Sequence, residues 1–197
     1  MTVTVAPRKR LGRAERRDAI LGAAASVFAT GGYAATSMAD IAGAAGVSHL
    51  IVYRHFESKE RLYQAVLGRA LDALSTTLSV EAATGRYGPT PAAVLAAARE
   101  DTDAFRVLWR HAAREPEFSG CANAARDEMH RLTAAALAPG ILPDHARWAA
   151  RATVSYLIEA VLVWIEDGDS RLDRRFVAAT EAALRAGVRR WARPQAR

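Results

Sequence analysis

Apolar residues recur every three or four positions along most of the chain, which is the spacing of helices that bury one face. No alternating β-branched runs stand between turn signals, so the pattern predicts an all-α protein. Glycine and proline mark the ends of the periodic stretches. About nine helices are predicted: one over 13–30, two short ones within 36–59, a long one from 59, one over 91–113 with a candidate break at 99–102, and three over 117–138, 143–167 and 172–192.

The stretch from Thr36 to Lys59 has the pattern of two short helices joined at Gly46, a helix-turn-helix. Thr36 or Ser37 is expected to cap the first helix, and Ser48 the second, by accepting a backbone hydrogen bond. Gly46 supplies the left-handed backbone that ends the first helix. The inward-facing positions are Ile41, Ala42, Ala45, Val47, Val52 and Phe56. The second helix therefore leaves its outer side bare, with His49, Leu50, Ile51, Tyr53 and His55.

Positive charge is concentrated ahead of this helix pair. The chain has a net charge of +6, and residues 1–17 hold six basic residues against Glu15 alone, a net +5. A basic segment beside a helix-turn-helix indicates phosphate binding, although a solvated tail is the alternative. We expect a disordered basic arm over 1–12, a DNA-binding domain over 13–60 and a helical body over 61–197. Gly85, Gly88, Pro89 and Pro91 mark the clearest loop.

Other features of the sequence favour a cytoplasmic protein without catalytic chemistry. Cys121 is the single cysteine, the amino terminus has no apolar signal region, and Glu159 interrupts the longest late apolar run. Glycine-rich phosphate loops, paired cysteines and histidine pairs at helical ligand spacing are all absent from the sequence. We therefore predict no catalytic residues, no metal and no cofactor. An enzyme, or a helical small-molecule-binding protein without DNA function, remains the rival interpretation.

The segment from residue 13 to about 67 resembles the tetracycline-repressor-like (TetR family) transcriptional regulators. The resemblance is carried by residues 16–28, 31–33, 36–37, 41–46, 47–56 and 58–60. It implies a three-helix DNA-binding head, and a ligand-binding and dimerisation body whose last two helices form a homodimer. The expected function is binding to an inverted-repeat operator, with repression as the family default and release by a small-molecule effector. His49 and Leu50 replace a basic residue and glycine common in the family, so the operator sequence does not transfer from relatives.

The exposed positions give candidate contacts to double-stranded DNA. His49, Leu50 and Ile51 are expected to read bases in the major groove. Tyr53, Arg54, His55 and Lys59 suit phosphates, and the helix start at Thr36 and Ser37 suits a further phosphate. The full predicted set is Arg17, Thr36, Ser37, Ser48, His49, Leu50, Ile51, Tyr53, Arg54, His55 and Lys59. The alternatives are an inward-facing Ile51, surface histidines and solvated arginines.

Large side chains in the body give candidate ligand and dimer contacts. Predicted interface residues are Trp164, Phe176, Leu184, Val188 and Trp191, with packing inside one chain as the alternative. Predicted ligand-binding residues are Phe105, Trp109, Trp148, Tyr156 and Glu159, with core packing as the alternative for each aromatic. Glu159 lies in an apolar run and needs a partner, either a ligand or an arginine. The sequence does not identify the effector.

Overall fold

The computed structural model describes residues 12–83, 88–138, 141 and 143–192. Most of the predicted basic arm, and Gly85 of the predicted loop, lie outside these residues. Within them the chain forms nine α-helices and no strand, which confirms the all-α prediction. The helices are α1 (Arg13–Ala35), α2 (Met38–Ala45), α3 (His49–His55), α4 (Lys59–Ala83), α5 (Pro91–Glu100), α6 (Thr102–Arg106), α7 (Ser119–Leu137), α8 (Pro143–Asp167) and α9 (Asp173–Ala192). A π-helical segment (Val107–His111) follows α6, and short 3-10 turns occupy Ala112–Arg114 and Ser170–Leu172.

The chain divides into two compact units between Val66 and Leu67, inside helix α4. We call the first unit the head and the second the body. Helix α4 begins in the head and ends in the body, as the length of its apolar pattern suggested. The predicted domain boundary at residue 60 lies six residues before this division, near the start of the same helix.

The core of the head is built from one face of each of its helices. Phe28 of α1 packs edge-on against Tyr63 of α4, with ring centroids 4.8 Å apart. Helix α1 is broken at Gly32, whose φ of 70° only glycine adopts readily, so the predicted end at Gly31-Gly32 is close to the observed kink. Fully buried residues of the head are Ile20, Ala24, Ala25, Phe28, Ile41, Val52, Leu62, Tyr63 and Val66.

Helix α8 is the central helix of the body. It is long and apolar enough to cross a membrane by length and composition alone. In the structure, however, it packs against α5, α7 and α9, which identifies it as a core helix. Its buried residues include Ala149, Val154, Leu157, Val161 and Leu162. The prediction that this helix is buried on more than one side is confirmed.

The predicted break near residues 99–102 occurs at Asp101. This residue is extended, with φ −148° and ψ 90°, and its carboxylate accepts a hydrogen bond from the Ala104 amide at 2.9 Å. Asp101 thus separates α5 from α6 and caps the second helix. The π-helical segment that follows was not predicted, because one extra residue in a helical turn leaves the apolar spacing almost unchanged.

Candidate nucleic-acid interface

The turn between α2 and α3 has the predicted geometry. Gly46 has a φ of 63°, in the left-handed region, and its amide donates to the Gly43 carbonyl at 3.1 Å. The Val47 amide donates to the Ala42 carbonyl at 3.0 Å, which satisfies a second end group of α2. Helix α3 therefore leaves α2 at a tight, hydrogen-bonded corner.

Helix α3 is anchored by its inner face and bare on its outer face. Val52 is fully buried and Phe56, which ends the helix, is almost so. Leu50 is 70% exposed and Tyr53 is 44% exposed, both on the outer side. His49 lies against Tyr53 with ring centroids 4.8 Å apart, so these two exposed rings support each other. The predicted register of the helix is confirmed.

Other residues of α3 have intermediate surroundings or unused polar groups. Ile51 and His55 are half-buried, whereas Arg54 is exposed. Ser48 occupies the capping position, but its side chain makes no capping hydrogen bond, so the predicted Ser48 cap is wrong. The exposed Ser48 hydroxyl lies at the start of the helix, where it is available to a partner.

Beside α3 lies a basic cavity of about 480 Å³, formed where the start of α1 meets the side of α3. Its lining residues are Gly12, Arg13, Arg16, Ile51, Arg54 and His55. Burial, followed by the charges of Arg13, Arg16, Arg17 and Arg54, lowers the pKa of His55. Several cations thus act on one concave surface, as expected of a phosphate site.

Arg13 and Arg16 were missed as individual candidates in the sequence. The available signal was the excess of basic residues before residue 18, but composition does not say which arginines reach α3. Arg17, the predicted contact, places its guanidinium 4.8 Å from the centre of the Phe56 ring. The packing of α1 in the head therefore determines which of the three arginines line the basic cavity.

Thr36 and Ser37 do not form the predicted phosphate site. Thr36 is buried, and its hydroxyl donates to the Gly32 carbonyl at 2.8 Å. Ser37 caps α2 together with Asp40, whose carboxylate accepts from both the Ser37 hydroxyl and the Ser37 amide, at 2.7 and 2.9 Å. These hydrogen bonds lower the pKa of Asp40, so a negative charge already occupies this helix start. A phosphate would be repelled there.

Lys59 is also not a free phosphate ligand. Its Nζ donates to the carbonyls of Tyr33 and Thr36, each at 2.9 Å. The same ammonium lies 4.2 Å from the centre of the Tyr33 ring. Lys59 therefore joins the start of α4 to the last turn of α1 and to the residue that follows α1, which is a structural role. Sequence spacing did not show this, because the partners are backbone carbonyls 23 and 26 residues away.

The five predicted ligand-binding residues of the body do not line one pocket. Phe105 and Trp109 are buried, with ring centroids 6.3 Å apart. Trp148 and Tyr156 are largely exposed on α8. Glu159 is exposed as well, and its carboxylate pairs with Arg110 at 2.9 Å. The grouping was wrong because helical spacing alone did not separate the inner and outer faces of α8.

Tyr156 and Glu159 instead line an apolar groove of about 410 Å³ between α8 and α9. The groove is formed by Tyr156, Glu159, Ala160, Val163, Trp164, Asp167, Gly168 and Phe176. Trp164 and Phe176 stack with centroids 4.7 Å apart, and the Trp164 indole donates to Asp173 at 2.7 Å. Two of the predicted interface residues are therefore at the groove.

The remaining predicted interface residues have contacts inside the chain. Val188 and Trp191 pack against the buried cluster of Ile141, Ala146 and Ala149. Trp191 also meets Trp148, with ring centroids 5.0 Å apart, and Leu184 is half-buried. For Val188 and Trp191, the alternative of packing within one chain describes the structure.

Comparison with known proteins places the head in a recognised group. Residues 20–66 match the family model described as "Bacterial regulatory proteins, tetR family". The "HTH-type transcriptional activator FasR" of Mycolicibacterium smegmatis is 52% identical over 65 residues, covering 33% of this chain and 30% of that protein. The "HTH-type transcriptional repressor KstR2" of the same organism is 46% identical over 61 residues, covering 31% and 30%. The chain thus spans about a third of the length of these curated relatives.

Solved structures are similar over nearly the whole chain. A TetR-like transcriptional regulator from Rhodococcus sp. RHA1 has a TM-score of 0.75 and 25% identity, covering 91% of this chain and 99% of that one. The TetR family transcriptional regulator PfmR from Thermus thermophilus has a TM-score of 0.60 and 27% identity, covering 84% and 97%. The similarity in fold therefore includes the body, where the sequence similarity to curated relatives does not extend.

Proposed function

We propose that the chain is a regulatory protein of the tetR family and that it binds DNA sequence-specifically to control transcription. The observation that supports this most directly is the bare outer face of α3 beside the basic cavity. A helix anchored by Val52 and Phe56, with Leu50 and Tyr53 left in solvent, would expose apolar surface for no gain unless a partner covers it. Double-stranded DNA fits both the shape of the helix and the adjacent charge.

In this proposal, α3 enters the major groove and the basic cavity holds the phosphate backbone. Leu50 would pack on a thymine methyl group and His49 would donate to a purine acceptor. Arg13, Arg16 and Arg54 would neutralise phosphates and so set the position of α3 on the duplex. Ser48 and Tyr53 offer hydroxyls to the same backbone. Sequence preference would then come mainly from the first turn of α3.

A homodimer follows from the small size of one head, because a single helix-turn-helix buries too little surface for tight recognition. The apolar groove and the exposed outer face of α8 are the surfaces that a second copy would cover. Two copies joined there would form a bundle of two α8 and two α9 helices, and would present two α3 helices to an inverted repeat.

Regulation by an effector is the third part of the proposal. Because α4 contributes to both the head and the body, a small molecule that moves its body segment would change DNA affinity. We propose repression in the cytoplasm as the default outcome. The names of the relatives include both an activator and a repressor, so the direction of control depends on where the operator lies relative to a promoter.

Selection of bound sites from random duplex DNA tests the proposal. We expect enrichment of one inverted repeat, with binding that weakens steeply as salt rises. Arg16→Ala combined with Arg54→Ala should abolish the enrichment. Arg147→Ala, which changes an exposed arginine of the body, is the matched control and should leave the enrichment intact. Failure of the wild-type protein to enrich any sequence would contradict the proposal.

A further inference from the structure

Helix α7 carries an arginine on the face that it buries. Ala122, Met129 and Thr133 are all buried, and their spacing defines the inner stripe of the helix. Arg126 occupies the remaining position of that stripe, one turn after Ala122 and one turn before Met129. Arg126 is half-buried. An apolar residue would be the ordinary choice there, because removing even part of a guanidinium from water is costly unless it is paired.

Three polar side chains at or near this position each have a buried nitrogen without a hydrogen-bond partner among the residues that the structure describes. These atoms are the Nε1 of Trp109, the Nε of Arg126 and the Nε2 of His130. The Arg126 guanidinium lies 5.3 Å from the centre of the Trp109 ring. His130 lies four residues after Arg126 on α7, and therefore on the same side of that helix. We call Trp109, Arg126 and His130 the donor cluster.

The donor cluster has no buried negative charge to balance Arg126. Within the described parts of the chain, Arg126 forms no ion pair, whereas Arg99, Arg106 and Arg110 of the body each do. Burial, then the positive charge of Arg151, lowers the pKa of His130, and Arg126 adds to this. Asp127 opposes the shift, with its Oδ1 3.7 Å from Nδ1 of His130, but its side chain is 82% exposed. An acceptor that enters the cluster would meet the unpartnered N–H donors of Trp109 and Arg126.

The neighbours of the donor cluster are apolar. Phe105 packs against Trp109, and Met129 adjoins Arg126 along the buried side of α7; both are almost fully buried. Trp109 itself is only 5% exposed and lies in the π-helical segment. π-helical segments are rare in proteins overall, but many of those that occur lie at functional sites, because the extra residue redirects side chains.

We propose that the donor cluster binds the carboxylate of an apolar organic acid, and that this acid is the effector sensed by the body. That the acid is an effector rests on the proposed regulatory function; that it binds at the donor cluster does not. In the complex, the carboxylate would accept from Arg126 and from the Trp109 indole, while the apolar remainder of the acid would lie beside Phe105 and Met129.

A carboxylate suits this cluster better than a phosphate. The cluster holds one permanent cation, Arg126, and one carboxylate balances it. A phosphate ester with a second negative charge would need another buried cation, and His130 supplies one only by binding a proton against the field of Arg151. The guanidinium also offers a planar pair of donors that matches the two carboxylate oxygens.

Calorimetric titration of the full chain with acetate, benzoate and octanoate tests the proposal, with 1-octanol and inorganic phosphate as comparisons. We expect benzoate or octanoate to bind, and 1-octanol and phosphate to bind at least about tenfold more weakly. Arg126→Met should weaken binding of the acid about tenfold or more, because it removes the guanidinium but keeps an unbranched apolar stem. Trp109→Phe, which keeps a ring but removes the N–H donor, should weaken it about threefold or more.

Arg131→Met is the matched control, since Arg131 lies on the exposed side of the same helix and pairs with Glu128. It should bind the acid as the wild type does. The proposal is overturned if none of the three acids binds, if 1-octanol binds as well as octanoate, or if Arg126→Met and Trp109→Phe both retain full affinity. Thermal unfolding of each variant shows whether it is folded. If Arg126→Met does not fold, the affinity of Trp109→Phe for the acid decides the test.

Binding of DNA is measured separately on the same samples. A protein that binds its selected DNA but no acid retains the proposed function and loses this inference. A protein that binds the acid through Arg126 but binds no DNA retains the site and loses the regulatory function. If adding the acid releases the protein from its selected DNA, that result supports both the regulatory function and the acid site.

Discussion

At the scale of single residues, the environment of a side chain outweighs its chemical type. Lys59 and Arg54 are both basic and both belong to the helix-turn-helix region, yet Lys59 donates to two carbonyls of its own chain while Arg54 faces the basic cavity. Arg126 is a third case, half-buried beside a tryptophan ring. Each of these three cations therefore requires a different experiment.

Contacts to phosphates and to bases should separate in mutagenesis. Arg54→Ala should weaken binding to all DNA sequences and reduce the slope of log affinity against log salt by about 1, because one phosphate contact is lost. Leu50→Ala should instead relax the preference at one base pair and leave the salt slope unchanged. Fluorescence anisotropy with selected and shuffled duplexes at several salt concentrations measures both. Equal salt slopes for the wild type and Arg54→Ala would contradict the assignment of Arg54.

His55 should make the stability of the protein depend on pH. Its pKa is lowered in the folded state, by burial and by surrounding arginines, so the unfolded state binds the proton more readily. The contribution of His55 to the free energy of unfolding is therefore present above the ordinary histidine pKa, and it is lost as the pH falls below that value. His55→Gln should reduce the loss of melting temperature between about pH 7.5 and pH 5.5.

The comparison for this prediction is His145→Gln, which changes an exposed histidine of the body. It should lose as much melting temperature on acidification as the wild type. Should His55→Gln and the wild type lose the same amount, the surrounding arginines do not control this histidine.

At the scale of the elements, the helix-turn-helix depends on backbone geometry and on local hydrogen bonds. The capping box of Ser37 and Asp40 begins α2, and the left-handed Gly46 ends it. The Ser37 cap and the left-handed Gly46 were recognisable in the sequence because each acts within four residues. The clamp made by Lys59 was not, because it spans more than twenty residues.

Gly43 inside α2 and Gly46 at its end should respond in opposite ways to substitution by alanine. Gly46→Ala should destabilise the protein by about 1–2 kcal/mol, since its φ of 63° strains any residue with a Cβ. Gly43→Ala should stabilise it by up to about 1 kcal/mol, because Gly43 is exposed inside a helix. A Cβ at either position meets no atom within 4 Å, so the contrast isolates the backbone. Urea unfolding followed by circular dichroism measures the stability of both variants. Equal changes in the two variants would refute this prediction.

Lys59→Met should destabilise the head by about 1–3 kcal/mol, because the carbonyls of Tyr33 and Thr36 lose a charged donor. Arg61→Met, an exposed change two residues later in the same helix, should have little effect on urea unfolding. Once conditions are chosen where Lys59→Met is folded, its DNA affinity should be close to that of the wild type. A large loss of affinity in the folded variant would restore Lys59 as a DNA contact.

At the scale of the whole molecule, DNA recognition depends on two heads being held together. The apolar groove between α8 and α9 provides a surface that a second copy would cover, and stacked Trp164 and Phe176 form part of it. Arg110 lies next to it and pairs with Glu159 and Glu166, so charged pairs border the apolar surface. An apolar centre with a charged rim is the usual anatomy of a protein interface.

Light scattering should therefore report a dimer at micromolar concentration. Val163→Glu, which places a charge in the groove, should give monomers that remain helical and bind an inverted repeat more weakly than the wild type. Val80→Glu changes another exposed valine, on α4, and should stay dimeric. A wild-type monomer, or a fully dimeric Val163→Glu, would contradict the proposed interface.

The sequence by itself determined the helices, their approximate ends and the inward face of α3. These follow from spacing, caps and glycine, which act between residues a few positions apart, and short-range rules are written directly in the order of the residues. The same local character made the resemblance to the TetR family readable over the first third of the chain. The exposed residues of α3 were identified on this basis.

Only the tertiary structure decided which polar groups are used internally and which are left for a partner. It assigned Lys59 and Thr36 to the fold, brought Arg13 and Arg16 to α3, and separated Phe105 from Tyr156. It also brought Trp109 and Arg126 together from different elements. These outcomes depend on contacts between residues far apart in the chain, where small differences in helix packing choose the partner, and periodicity carries no record of that choice.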